Sequence, residues 1–249
     1  MRLRSGTSGF SYAEWKGTFY PEKARSKDFL RLFAAQIDCV EINNTFYRMP
    51  KPALFEGWTQ EVPEGFSFVL KASQRITHHQ KLENSAENVA YLWQVAQSLG
   101  QRLGPVLFQL PPYLRKDVER LKRFVAALPA GMRAVIEFRH RSWFEDEAAC
   151  DALREHGVAL CFSDVDAKSE DDPGLEQPFL NTAEFGYLRL RREEYDADGL
   201  RAWIDKARSQ PWRELFVFFK HEPTAPRYAL ELRALWDAAA PVGVADATA

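Results

Sequence analysis

A chain of 249 residues matches the roughly 250 that one α/β barrel needs and is long enough to bury a sizeable core. Lys and Arg total 33 against 35 Asp and Glu, so the net charge of −2 excludes a global attraction to nucleic acid or to an anionic membrane surface. No run approaches the ~18 uninterrupted apolar residues of a membrane helix, and the three cysteines, an odd number without CxxC spacing, argue against a disulfide framework or a structural zinc.

The first residues, Met1 to Gly6, run straight into a strand-like segment with no apolar secretory region, and the expectation is a soluble cytoplasmic protein. Short β-rich runs then alternate with helical spacing. The strands are expected at 2–8, 39–43, 66–73, 105–109, 133–139, 158–164, 187–191 and 215–220, with helical spacing over 27–36, 52–61, 85–99, 115–128, 145–156, 198–209 and 227–238. In the third helical segment Val89, Leu92, Trp93 and Ala96 recur at three and four residues. The connection 165–184 reads as a long loop, a candidate lid, and the tail 241–249 lacks any amphipathic pattern. One domain over 1–240 is the simplest division. Alternating β and α segments specify a parallel sheet, either a closed (β/α)₈ barrel or a doubly wound sheet. Gly6-Thr7-Ser8-Gly9 lacks the GxGxxG spacing of a dinucleotide fold and no GxxxxGK[ST] occurs, which favours the TIM-type barrel.

The polar residues concentrate where each strand ends. Glu41 and Asn43, Lys71, Gln109, Glu137 and Arg139, Asp164, Arg189 and Arg191, and Lys220 all close apolar runs. In a barrel these ends converge on the C-terminal mouth, where the active sites of this fold are built. Strand alternation puts Glu137 and Arg139 on the face opposite Ala134, Ile136 and Phe138, hence toward the interior, with Tyr187, Arg189 and Arg191 placed likewise. The competing reading is an ion-pair lattice that fills the core, Glu137 pairing with Arg139 or Arg189. The following loops carry aromatic rings. Tyr47 and Trp143, directly after charged strand ends and accompanied by His140, are the binding candidates, whereas Phe10, Tyr12, Trp15, Phe19 and Tyr20 read as a hydrophobic plug.

Several of these runs together resemble the YecE-like family, domain of unknown function 72. They are Gly6-Thr7-Ser8-Gly9-Phe10 with Trp15, Glu41 to Tyr47 (EINNTFY), Phe68 to Ser73 (FVLKAS), Phe108 to Pro112 (FQLPP), and Glu137-Phe138-Arg139-His140 with Ser142-Trp143. The resemblance implies a TIM-type barrel and no established activity. Where the family tends to Arg-x-His-Gly on the seventh strand this chain has Arg189-Leu190-Arg191-Arg192, and where it tends to paired asparagines this chain has Lys220-His221, so the mouth is more cationic here.

Glu41 and Glu137 are the candidate general acid and base, joined in the catalytic set by Arg139, Lys71 and Asp164. Asn43, Tyr47, Gln109, His140, Trp143, Arg189, Arg191 and Lys220 are the candidate substrate contacts. The residue types suit an enzyme acting on a small anionic or sugar-like ligand. Nothing names a cofactor, the reaction or the oligomeric state. Lys71 or Lys220 as an imine-forming nucleophile, and Glu41, Glu137, Asp164, His140 and His221 as metal ligands, stay as rival readings, although no HxH or HExxH run occurs and no metal is expected. His78-His79 reads as a solvated loop pair. A non-catalytic nucleic-acid module using Arg139, His140, Arg141, Arg189, Arg191 and Arg192 is a further alternative, disfavoured by the overall charge.

Overall fold

The computed structural model describes residues 1–48, 50–164, 177–220 and 223–239. Its parallel strands are β1 (Arg2–Ser8), β2 (Cys39–Ile42), β3 (Ser67–Lys71), β4 (Leu103–Gln109), β5 (Ala134–Glu137), β6 (Ala159–Asp164), β7 (Phe185–Leu190) and β8 (Glu214–Phe219). Neighbours in sequence pair with one another, and β8 pairs back onto β1 from Arg2↔Glu214 to Thr7↔Phe219, closing a TIM-type barrel. Closure leaves no unpaired sheet edge. Around the barrel lie α1 (Phe29–Ala34), α2 (Asn44–Tyr47), α3 (Pro52–Glu61), α4 (Ala86–Ala96), α5 (Val118–Ala126), α6 (Ala148–Glu155), α7 (Ala197–Arg208) and α8 (Ala225–Ala238).

Local chemistry sets where these helices start. Asp117 accepts from the Arg120 amide at 2.9 Å and Asp196 from the Gly199 amide at 2.7 Å, each capping the first turn of its helix, α5 and α7. Proline opens α3, where its missing N–H costs nothing. Leu121, Phe124 and Val125 form the buried stripe of α5 at helical spacing.

Alternation along each strand divides the core in two. Val69, Leu107, Val135, Tyr187, Phe216 and Phe218 belong to the cluster inside the barrel, while Ile136, Phe138, Leu188 and Val217 belong to the layer between strands and helices. At the N-terminal end the interior is closed by ions rather than hydrocarbon. Arg4 Nε lies 3.0 Å and Arg133 Nη2 2.9 Å from the Glu214 carboxylate, and the Arg133 guanidinium covers Phe185 at 4.3 Å.

All eight expected strands form, with altered ends. β4 and β7 begin two residues early, at Leu103 and Phe185, while β5 stops at Glu137, so Arg139 belongs to the loop beyond it. Lys220 and Asn43 likewise lie one residue past their strands, Lys220 still donating its amide to Leu190 O at 3.0 Å. The single turn α2 has no counterpart in the sequence reading, because four residues are too few to show a period. The expected lid falls mostly on 165–176, and the expected tail on 240–249, both outside the described residues; His221 is outside them as well.

Two glycines make opposite predictions. A Cβ on Gly6 would stand 2.1 Å from the Cys39 carbonyl oxygen, a backbone atom that cannot step aside, whereas Gly57 is exposed within α3 with nothing within 4 Å of that position. Gly6→Ala is expected to lower the unfolding free energy measured by urea titration by the ~1–3 kcal/mol typical of overpacking or more. Gly57→Ala is expected to raise it by up to ~1 kcal/mol through helix propensity.

Candidate functional site

The C-terminal ends of β1, β2, β4, β5 and β7 deliver their side chains to one polar network. Glu41 accepts hydrogen bonds from Arg189 Nε at 3.0 Å and Nη2 at 2.9 Å, from the Tyr187 hydroxyl at 2.7 Å and from the Ser8 hydroxyl at 2.7 Å. Glu137 accepts from Arg189 Nη1 at 2.8 Å and from the Gln109 amide at 2.8 and 2.9 Å, with Arg139 Nε 4.0 Å away. Both glutamates are 0% exposed and Arg189 is 3% exposed. One guanidinium thus grips one carboxylate bidentately and a second by its remaining edge, which is the geometry that lets buried charge persist.

The electrostatics follow from that grip. Burial pushes the Glu137 carboxyl upward, but the charges of Arg189, Arg139, Arg191 and Lys71 outweigh it and hold the group at about 2. Glu41 is also driven down, against burial, by Arg189 and by the Tyr187 and Ser8 hydroxyls. Neither carboxylate releases or takes a proton near neutrality; they are fixed counter-charges. Lys71 is the reverse case. Burial first, then repulsion from Arg189, brings its ammonium down to about 8, partly offset by Glu137 and Glu41. Its Nζ lies 4.1 Å from the centre of the Phe46 ring, whose face favours the charged form. His78 is lowered to about 4 by burial, Lys71 and Arg139, and is neutral at physiological pH. Its ring meets Phe46 edge-on at 5.0 Å, and Nδ1 lies 2.9 Å from the Thr77 hydroxyl.

Above this floor opens a cavity of about 360 Å³. Five cations reach its wall, Lys71, Arg139, Arg189, Arg191 and Lys220, and among the described residues no carboxylate does. Asn43, Tyr47 and Gln109 line it too, as do Ser8, Tyr12, Phe46 and His78, which the sequence reading did not assign to the site. The expectation of a solvated pair fails for His78, which is half-buried, and fits His79, which is exposed. The five-residue π-helical turn Arg75–His79 aims the first and not the second, and nothing in residue spacing signals that turn. The plug reading fits Trp15 and Tyr20, both buried and packed with Phe33 and Phe29, but not Tyr12.

Three expected site residues stand elsewhere. Trp143 is fully buried, its ring stacked on Phe138 at 4.4 Å and its indole donating to Leu114 O at 2.8 Å. Because Phe138 faces the helices, the short turn Arg141–Phe144 carries Trp143 outside the barrel wall, so it is not a mouth residue. His140 caps that turn, its Nδ1 accepting from the Ser142 amide at 3.1 Å. Asp164 accepts from the Arg191 amide at 2.8 Å and the Tyr195 hydroxyl at 2.7 Å and pairs with Arg192 at 3.3 Å, tying the end of β6 to the loop after β7. Glu41 and Glu137, placed at the floor, do not line the cavity. No group of three His, Cys, Asp or Glu side chains among the described residues is placed to hold a metal ion. A larger cleft of about 470 Å³, between residues 82–89 and α5, lies away from the strand ends.

The Glu137 charge makes stability acid-dependent. Its carboxyl titrates near 4.5 in the unfolded chain and about 2 in the fold, so its contribution is complete above 4.5 and disappears as pH falls to 2. Glu137→Gln, which leaves Arg189 with a single carboxylate, is expected to cost on the order of 3 kcal/mol. It is also expected to flatten the pH dependence of the urea midpoint over that interval.

Comparison with known proteins agrees with the architecture. A family model described as "Protein of unknown function DUF72" matches residues 4–248. The UPF0759 protein YunF of Bacillus subtilis is 31% identical over 222 residues, 82% of this chain and 74% of YunF, while YecE of Escherichia coli is 28% identical over 52% of this chain and 49% of its own. A DUF72 family protein from Thermotoga maritima superposes with a TM-score of 0.80 at 25% identity, covering 95% of this chain and all of that one. One from Enterococcus faecalis gives 0.76 at 17%, a likeness of fold, over 94% and 95% of the two chains. With the strand-end residues on the same barrel and the match running nearly end to end, the chain belongs to the DUF72 family.

Proposed function

We propose that the barrel mouth is the active site of an enzyme acting on a small anionic substrate, with a phosphate or carboxylate as the recognised group. The observation that carries this reading is the sorting of charge: five cations face a cavity of about 360 Å³ while the two glutamates that offset part of that charge lie beneath its floor. That volume is at the small end of ligand pockets and suits a phosphorylated sugar better than a polymer. Phosphate and carboxylate oxygens match the forked donors of arginine. Tyr47, 72% exposed at the rim, offers a ring face for the sugar-like part of such a ligand.

The acid–base role expected for Glu137 passes, in this reading, to Lys71. Glu137, held at about 2, is a poor acid and a poor base near neutrality, whereas Lys71 at about 8 is poised for either. Glu41 and Glu137 serve by fixing the Arg189 fork so that no reorganisation is needed when substrate charge develops.

Calorimetric titration with inorganic phosphate, a pentose phosphate and the neutral pentose tests the reading. The two anions should bind and the neutral sugar should bind far more weakly; Arg191→Ala should weaken the pentose phosphate about tenfold, the loss of one charge-assisted contact. Equal binding of sugar and sugar phosphate would sink it. Steeply salt-dependent binding of single-stranded oligonucleotides in place of the small anions would instead favour a nucleic-acid module.

A pH series with sulfate, whose own charge is constant there, isolates Lys71. The charged groups acting on its ammonium are Arg189, Arg139, Glu137 and Glu41; guanidinium does not deprotonate, and both carboxyls are held low. Below about 8 Lys71 carries its proton and adds to anion binding; above it the charge is lost. Sulfate affinity should therefore fall as pH rises through 8, and Lys71→Met should remove that inflection.

A further inference from the structure

Lys71 combines four features that a plain anion-binding lysine lacks. It ends β3, a strand held on both sides, so its backbone is rigid. Its Nζ sits against the Phe46 ring, and among the described residues no carboxylate pairs with it and no hydrogen bond holds it. Arginines at the same wall can neutralise an acidic group on a ligand without competing as nucleophiles, because guanidinium does not deprotonate. Finally, the neighbouring imidazole of His78 is neutral, which adds no further positive charge beside the amine. Lys220, the other lysine at the mouth, is exposed.

We propose that Lys71 is a covalent nucleophile that forms an imine with the carbonyl of a small aldehyde or ketone whose phosphate or carboxylate is held by Arg139, Arg191 and Lys220. The inference rests on the anionic-substrate reading above and adds to it the substrate's second functional group. The ammonium first gives its proton to solvent through the open mouth. The amine lone pair then forms a C–N bond to the carbonyl carbon, the carbonyl π pair moves to oxygen, and that oxygen takes up a proton as the nitrogen loses one, giving a neutral carbinolamine. Loss of hydroxide, protonated to water, leaves a C=N bond bearing one positive charge, so one water departs for each imine formed. The cationic wall favours the oxyanion that passes through this sequence, and the Glu41 and Glu137 carboxylates beneath favour the iminium that results. No oxidant or reductant enters.

Pyridoxal phosphate, an aldehyde bearing a phosphate, is the probe. The intact protein is incubated with it, reduced with borohydride, which delivers hydride to the imine carbon, and mapped by peptide mass spectrometry across its 11 lysines. Expected is one adduct per chain, on Lys71, suppressed by inorganic phosphate and much weaker with pyridoxal lacking the phosphate. Lys71→Arg should reduce the adduct by roughly tenfold or more, since guanidinium cannot replace the amine. The wild-type map is decisive without any variant, so a poorly folding Lys71→Arg does not obscure the result. Label concentrated on Lys220 or scattered over surface lysines, while calorimetry still shows phosphate binding, overturns the covalent role of Lys71 and leaves the anion site standing. Label on Lys71 that phosphate does not suppress, with no phosphate binding by calorimetry, overturns the anion site and with it the substrate class inferred here.

Discussion

Arg189 is the piece on which the interior of this barrel depends. Glu41 on β2 and Glu137 on β5 belong to strands that are not neighbours, so one guanidinium can satisfy both only by reaching across the enclosed space. Without it two buried carboxylates would face each other with hydrocarbon below, and the desolvation cost would drive their protonation. With it, three charged groups sit at the floor of the mouth with every guanidinium edge engaged. The cost of burying them is offset by donors from Tyr187 on the strand of Arg189 and from Ser8 and Gln109, which join two further strands, β1 and β4, to the same network.

That floor controls what lies above it. A net single negative charge beneath the mouth, from two carboxylates against one guanidinium, allows Lys71, Arg139, Arg191 and Lys220 to gather at one wall without prohibitive repulsion. The consequence is an inversion of the roles that residue type alone suggests. Glutamates beside a cavity invite an acid–base assignment, yet here their ionisation is locked, and the side chain whose ionisation lies near neutrality is a lysine.

The opposite end of the barrel uses the same device without a cavity. Arg4, Arg133 and Glu214 close the N-terminal end by ion pairing, and Arg133 covers an aromatic ring with its planar face. Between the two polar ends lies a short apolar plug that includes Val69, Leu107, Val135 and Phe216. The hydrophobic layer between strands and helices is far larger, and there the aromatic residues of the first loop and α1 pack edge to face and stacked. No helix among the described residues is long and apolar enough to cross a membrane, which agrees with helices that are amphipathic and committed to the barrel wall.

Much of this was legible in the residues themselves. Period-two alternation along 133–139 and 187–191 identifies Glu137, Tyr187 and Arg189 as inward, because the backbone pleat sends neighbours to opposite faces whatever the rest of the fold does. Alternating strand and helix segments, with no glycine-rich phosphate loop, identify a barrel, and strand ends rich in charge identify its mouth. What the residues could not decide is which of those charges meet. Pairing of Glu41 with Arg189 joins positions 148 apart, and only closure of β8 onto β1 sets the distance between them. Position after a strand end was also a poor guide once the chain had left the sheet. Tyr47 and Trp143 follow similar strand ends, but α2 turns one toward the rim and the turn Arg141–Phe144 folds the other behind the wall. The strand pleat is a local property written in the sequence; ionisation and access depend on the through-space sum of charges and on solvent exclusion, and those exist only in the folded barrel.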